Sequence, residues 1–186
     1  HDVSQAMVEG WMTELSNWGR WGDDDQLGAL NLITPDKRKQ AAGLVREGIS
    51  VSMSHNYLTE RAADATSPFE HEMTGVGRAR AFVGDRYSIA YHGYAHSHMD
   101  SLCHMAYEGV MYNGFTRAND VSEAGCGKLA ILDAKQGIMT KGVLMDIARL
   151  KGVDYLEPGT PIYVEDLEAW ERQAGVRVEP GDILLV

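Results

Sequence analysis

Tyr91-His92-Gly93-Tyr94-Ala95-His96-Ser97-His98-Met99-Asp100-Ser101-Leu102-Cys103-His104 carries four of the seven histidines of this 186-residue chain. The segment from Tyr87 to Asp100 reads as extended, and along a strand alternate side chains point to the same face. His96, His98 and Asp100 would then present two imidazoles and a carboxylate together. His92 has the same parity, although Gly93 can mark a bulge that resets the phase. Two imidazoles and a carboxylate suit Zn²⁺, Mn²⁺ or Fe²⁺, and three protein ligands leave a position open for water. His104 follows Asp100 by four residues, near enough to act on that water if the chain turns back. Several imidazoles beside a carboxylate on a partly buried face are costly unless a metal or a hydrogen-bond network compensates them. The cluster is therefore read as a metal site, and the isolated His55 and His71 as structural.

Outward from this stretch, strands and helices intermix in an α/β or α+β manner. Met7, Val8, Trp11, Met12 and Leu15 fall on one face at helical spacing, which predicts a short amphipathic helix. A polar loop from Asn17 to Gly28 follows. Thr34-Pro35-Asp36 then opens a helix, with Thr34 as cap, Pro35 preset for the first position and Asp36 at the positive end of the dipole; Gly48 is its expected end. Ser50 to His55 alternates as a half-buried strand, with Val51, Met53 and His55 on one face. The mixed stretch Thr59 to Asp85 reads as a long loop over a site, with a possible strand near Arg80 to Val83. Leu129 to Leu132 and Gly142 to Ala148 read as further strands. Glu165 to Ala174 reads as a helix with Leu167, Trp170 and Ala174 on one face and Gly175 as its stop.

Seventeen Lys and Arg against twenty-seven Asp and Glu give a formal charge of -10. With no basic stripe to release counterions, nucleic acid and anionic membrane surfaces are not expected partners. No apolar run approaches the roughly 18 residues that cross a bilayer, and the first residues lack the basic and apolar regions of a secretory leader. A cytoplasmic location follows as the expectation, with Cys103 and Cys126 as free thiols. Cys103 and His104, as strand neighbours, would point to opposite faces and make no thiolate and base dyad. Ser97 and Ser101 lack a nucleophile elbow. Gly125-Cys126-Gly127-Lys128 lacks the spacing of a phosphate loop and reads as a turn. At the other end, Glu179-Pro180-Gly181-Asp182 is a turn sequence leading into the apolar β-type run Ile183-Leu184-Leu185-Val186. No turn or polar tail follows that run, so a chain continuing past Val186 is expected.

Ser97-His98-Met99-Asp100-Ser101-Leu102-Cys103-His104 resembles the signature H-x-G-T-H-x-D-x-P-x-H of the cyclase family of metal-dependent hydrolases, which includes bacterial kynurenine formamidase and isatin hydrolase. His98, Asp100 and His104 match the second histidine, the aspartate and the last histidine; Ser97 replaces the threonine and Leu102 the proline. Counting without gaps puts Tyr94 at the first histidine, so that ligand comes either from His96 or, after a two-residue bulge, from His92. Asn17-Trp18-Gly19-Arg20-Trp21-Gly22, Leu27-Gly28-Ala29-Leu30-Asn31, Met111-Tyr112-Asn113-Gly114, Gly142-Val143-Leu144 and Pro180 to Val186 are similar to a larger branch of the same family.

The resemblance implies one cyclase-like α/β domain over residues 1–186, of the swivelling β/β/α type and incomplete at its C-terminal end, where a further ligand is expected. It also implies a Zn²⁺ or Mn²⁺ cofactor held by His98, Asp100 and His96 or His92, with His104 as the catalytic base. A homodimer or homotetramer is the implied assembly. The implied activity is hydrolysis of a C–N bond in a small cyclic or aryl amide by metal-activated water. A lactone or ester hydrolase with the same site, or a non-catalytic metal or small-molecule binding module, are the alternatives.

Overall fold

The computed structural model describes residues 2–77 and 82–186. Its regular elements, in chain order, are α1 (Gln5–Glu14), α2 (Pro35–Ala42), β1 (Glu70–Thr74), β2 (Gly84–Ser88), α3 (Arg117–Asp120), β3 (Val121–Ser122), β4 (Gly125–Cys126), β5 (Gly142–Leu144), α4 (Ile147–Lys151), α5 (Val164–Ala174) and β6 (Ile183–Leu185). They make up a mixed α/β protein in two compact units, one running up to Gly48 and resuming at Leu102, the other spanning Ile49–Ser101. Among the described residues no helix is long and apolar enough to cross a membrane.

In the larger unit the helix ends follow local chemistry. The Ser4 hydroxyl accepts the Met7 N–H at 3.3 Å and starts α1. The Thr34 hydroxyl accepts the Lys37 N–H at 3.1 Å with Pro35 in the first turn, as the sequence predicts for α2. That helix ends at Ala42, short of the expected Gly48. Gly43 carries a high helical entropy cost, and the chain tightens there as the Leu44 N–H turns back to the Ala41 carbonyl. The strand expected over Gly142 to Ala148 stops at Leu144, because the Asp146 carboxylate caps the Arg149 N–H at 2.9 Å and opens α4. α5 ends as expected at Gly175, which takes a left-handed φ of 65°.

β5 and β6 pair in parallel, with Gly142, Val143 and Leu144 opposite Ile183, Leu184 and Leu185. Beside this ladder Val143, Met145 and Ile147 form a buried cluster on which Leu167 and Trp170 of α5 pack. The apolar face read from the sequence of α5 therefore has its counterpart. The turn before β6 is clamped electrostatically. Asp182 is fully buried, with Lys37 Nζ 2.5 Å and Lys141 Nζ 2.7 Å from its carboxylate. Burial raises its pKa, but the hydrogen bonds from Lys141 and Lys37 outweigh that and hold the carboxyl below its usual range. Gly181 has φ 83°, and a Cβ there would lie 2.5 Å from the Leu32 carbonyl oxygen, so this position requires glycine.

A second cluster, Cys103, Met111 and Leu129, is flanked by Ala106, Tyr112, Phe115 and Cys126. Two expectations fail here. Leu129 to Leu132 forms no strand: Leu129 is buried with φ 60° and Ile131–Ala134 is a 3₁₀ turn. Cys103 and Cys126 are not free thiols but a disulfide, with Cα atoms 6.4 Å apart. The free-thiol reading rested on cysteine count alone, whereas the turn Leu102–His104 and the ladder β3/β4 bring the two residues within bridging distance.

The smaller unit contains one antiparallel hairpin, β1 with β2, in the register Glu70 to Ser88 through Thr74 to Gly84. β1 and the first residues of β2 fall inside the stretch expected to be a long loop, while Tyr87 and Ser88 of β2 begin the segment expected to be extended. Of the possible strand near Arg80 to Val83, Arg80 and Ala81 lie outside the described residues, while Phe82 and Val83 precede β2 and are not in it. The expected half-buried strand over Ser50 to His55 does not form, and Val51 and Met53 are exposed. Alternation alone makes no strand without a neighbouring ladder, and the backbone N–H of His55 donates instead to the Ser97 hydroxyl. Beyond Ser88 the expected extended run up to Asp100 is likewise irregular.

Candidate metal centre

The irregular backbone from Ile89 to Ser101 sets aside strand parity as the device that orders the histidines. Local contacts order them instead. The ligating atoms of His92, His98 and Asp100 all lie within 4.8 Å of one another. His92 Nδ1 is 2.6 Å from Asp100 Oδ1, and His98 Nε2 is 3.6 Å from the same oxygen. Nitrogen lone pairs and a carboxylate oxygen come this close only around something positive, either a ring proton or a cation.

His98 shows how its ring is presented. Its Nδ1 lies 2.7 Å from the His96 carbonyl oxygen. A carbonyl only accepts, so Nδ1 carries the proton and donates it, and in a neutral ring Nε2 keeps its lone pair, directed toward Asp100. This is the support a ligating histidine ordinarily receives from its second nitrogen. The Tyr91 ring stands 4.5 Å from that of His92 and 5.7 Å from that of His98, and the two imidazoles meet edge to face at 5.4 Å. Tyr91 is a positioning contact that residue-type reasoning does not single out, although it adjoins the motif. Two nitrogens and one oxygen form a donor set that fits Zn²⁺ or Mn²⁺.

His96 is not part of this group. Its side chain is buried, neither ring nitrogen has a hydrogen-bond partner, and the Tyr57 ring meets it edge-on at 5.5 Å. Tyr57 in turn packs on Phe69, which stacks against His71 and lies beside Tyr87 of the hairpin. His71 Nε2 sits 2.6 Å from Asp85 across that hairpin, in keeping with the structural role read for it.

His104 belongs to the other unit, at the end of the turn Leu102–His104. Its ring is exposed and its carbonyl accepts from the Arg117 guanidinium at 3.2 Å. In the same unit, three of the sequence pieces quoted above converge. Asn113 Oδ1 accepts the Gly19 N–H at 2.7 Å, and its Nδ2 lies 2.9 Å from the Gly22 and Asp23 carbonyls and 3.2 Å from that of Asp25. The Asp25 carboxylate accepts from Asn31, the Gly28 N–H and the Tyr112 hydroxyl. Burial raises the pKa of Asp25, but these bonds outweigh it and hold the carboxyl below its usual range. Burial and the bond to Asp25 push Tyr112 up to about 12. The Trp18 to Gly22 loop is thus fixed by the side chain of Asn113, some ninety positions later, a link that spacing does not reveal.

Comparison with known proteins identifies the family. A family model described as "Putative cyclase" matches residues 29–186. The crystal structure of a novel cyclase is similar at a TM-score of 0.79 and 31% identity, over 91% of this chain and 59% of that one. The chain therefore spans about three-fifths of the length of that cyclase. No curated protein matches it.

Proposed function

The chain belongs to the cyclase family, and from that premise we propose that it is a metal-dependent hydrolase cleaving the C–N bond of a small cyclic or aryl amide, within a fold of the swivelling β/β/α type. The observation that carries this reading is the convergence of His92, His98 and Asp100, with His98 tied back to the His96 carbonyl. These three residues would hold Zn²⁺ or Mn²⁺. When bound, the ion supplies Lewis acidity, lowering the pKa of water from about 15.7 toward about 7 and polarising a carbonyl.

The residues of the chain supply the rest. Asp100, beside both imidazoles, neutralises charge and fixes the two rings. His98 keeps its orientation through Nδ1, so that Nε2 faces inward without a search among rotamers. His104 takes its role from its place in the motif: it removes a proton from the attacking water and returns it to the leaving nitrogen. Such a transfer contributes about 10² to 10⁴-fold.

Elemental analysis of protein purified without added metal, beside Asp100→Ala, tests the proposal. One Zn or Mn per chain, lost in the variant, is the expected result, with turnover of an amide exceeding that of its ester analogue relative to the uncatalysed rates. Protein that holds no ion and hydrolyses no amide overturns it.

A further inference from the structure

We propose that reduction of the Cys103–Cys126 disulfide creates a second ion site, in which Cys103, Cys126 and His104 take a soft divalent cation such as Zn²⁺ or Cd²⁺. The two sulfurs and a ring nitrogen of His104 lie within 4.8 Å of one another. Two thiolates and an imidazole form a zinc-type donor set, and the lack of any oxygen ligand disfavours Mn²⁺ and Mg²⁺. Cys103 is 2% exposed and packs with Met111 and Leu129. A thiolate in such apolar surroundings is unfavourable by itself and needs a positive charge beside it. His104 is exposed, so solvent and ions can reach the site.

The backbone that carries the three ligands does not depend on the disulfide alone. The Cys103 N–H donates to the Leu129 carbonyl at 3.2 Å, the Gly127 N–H donates to the Asp120 carbonyl at 2.7 Å, and Arg117 holds the His104 carbonyl. These bonds persist when the sulfurs separate, so the ligands stay gathered. A dithiol passes two electrons and two protons to the disulfide and closes into its own cyclic disulfide. The cation then displaces the two thiol protons to solvent, while His104 binds through a neutral nitrogen. A liganded His104 moves no proton; this consequence rests on the catalytic role proposed for it above, and makes the reduced, zinc-loaded chain the inactive one.

Cd²⁺ titration of the full chain decides the matter, with the Asp100→Ala background separating this site from the one under Proposed function. Protein reduced with a dithiol and desalted anaerobically is expected to take one Cd²⁺ with a sulfur-to-metal charge-transfer band, and the oxidised protein to show no band. Cys126→Ser abolishes the band, and His104→Ala releases the ion at concentrations that saturate the parent. Cys126 is the less buried cysteine, so its replacement tests the site even if Cys103→Ser fails to fold. Absence of the band in the reduced chain, or a band indifferent to His104→Ala, overturns the proposal, as does a band lost with Asp100→Ala. None of these readings depends on whether the oxidised protein hydrolyses an amide.

Discussion

The larger unit and the smaller one are held together by different means. In the larger, paired strands, capped helices and two apolar clusters fix the backbone, and polar side chains such as Asp182 and Asn113 pin the turns. In the smaller, one hairpin is the regular structure among the described residues, and the segment with the most chemistry, Ile89 to Ser101, has none. The cost of a substitution therefore falls differently in the two units. Substitution in the larger unit is paid in fold stability; in the histidine segment it is paid in ligand geometry, since little core depends on those residues.

Asp100→Ala tests this contrast with the largest expected effect. We expect ion binding to be lost and turnover to fall by more than about 100-fold, beyond the effect of removing a group that only hydrogen-bonds a ligand, while the urea midpoint, compared between the metal-free proteins, stays where it was. A large drop in the midpoint would make the histidine segment part of the fold's support. Gly181→Ala is the converse: a new Cβ against the Leu32 carbonyl at a positive φ should cost about 3 kcal/mol in urea unfolding, with the ion count unchanged.

A smaller effect is expected from alkaline pH. The folded pKa of Tyr112 lies above its ordinary value of 10.0, so the folded chain binds that proton more tightly. Its contribution is complete below pH 10 and is lost as pH rises from 10 to about 12. Lys141, raised chiefly by its hydrogen bond with Asp182, acts with the same sign. Tyr112→Phe should therefore flatten, without abolishing, the alkaline fall in stability. The smallest effect belongs to Val51→Ser. Val51 is 80% exposed, and replacement should change stability by less than about 0.5 kcal/mol. A loss of 1 kcal/mol or more would restore the half-buried strand that alternation suggested.

What was legible in the sequence follows the same division. The Thr34-Pro35 start of α2, the Gly175 stop and the Leu167 and Trp170 face of α5 were legible because caps and helical faces act within a few residues. The alternation of Ser50 to His55 misled, since a strand also needs a partner that local pattern cannot supply. Of the candidate site, the residue types and the segment were legible. Which of His92 and His96 stands beside His98 and Asp100 was not, because parity presumes a ladder and the chain there has none. The Cys103–Cys126 bridge and the hold of Asn113 on the loop before it were hidden for the complementary reason, that each joins segments far apart in sequence.

The amide of Asn113 gathers the carbonyl oxygens of Gly22, Asp23 and Asp25, which would otherwise repel one another. Calcium does the same in many loops, as a diffusible ion that a chelator removes. Here the stand-in is covalently part of the chain and uncharged, so neither EDTA nor added salt can take it away. The tryptophan loop should consequently keep its native fluorescence in apo-protein stripped for metal reconstitution, giving an internal reference against which refilling of the histidine centre can be read.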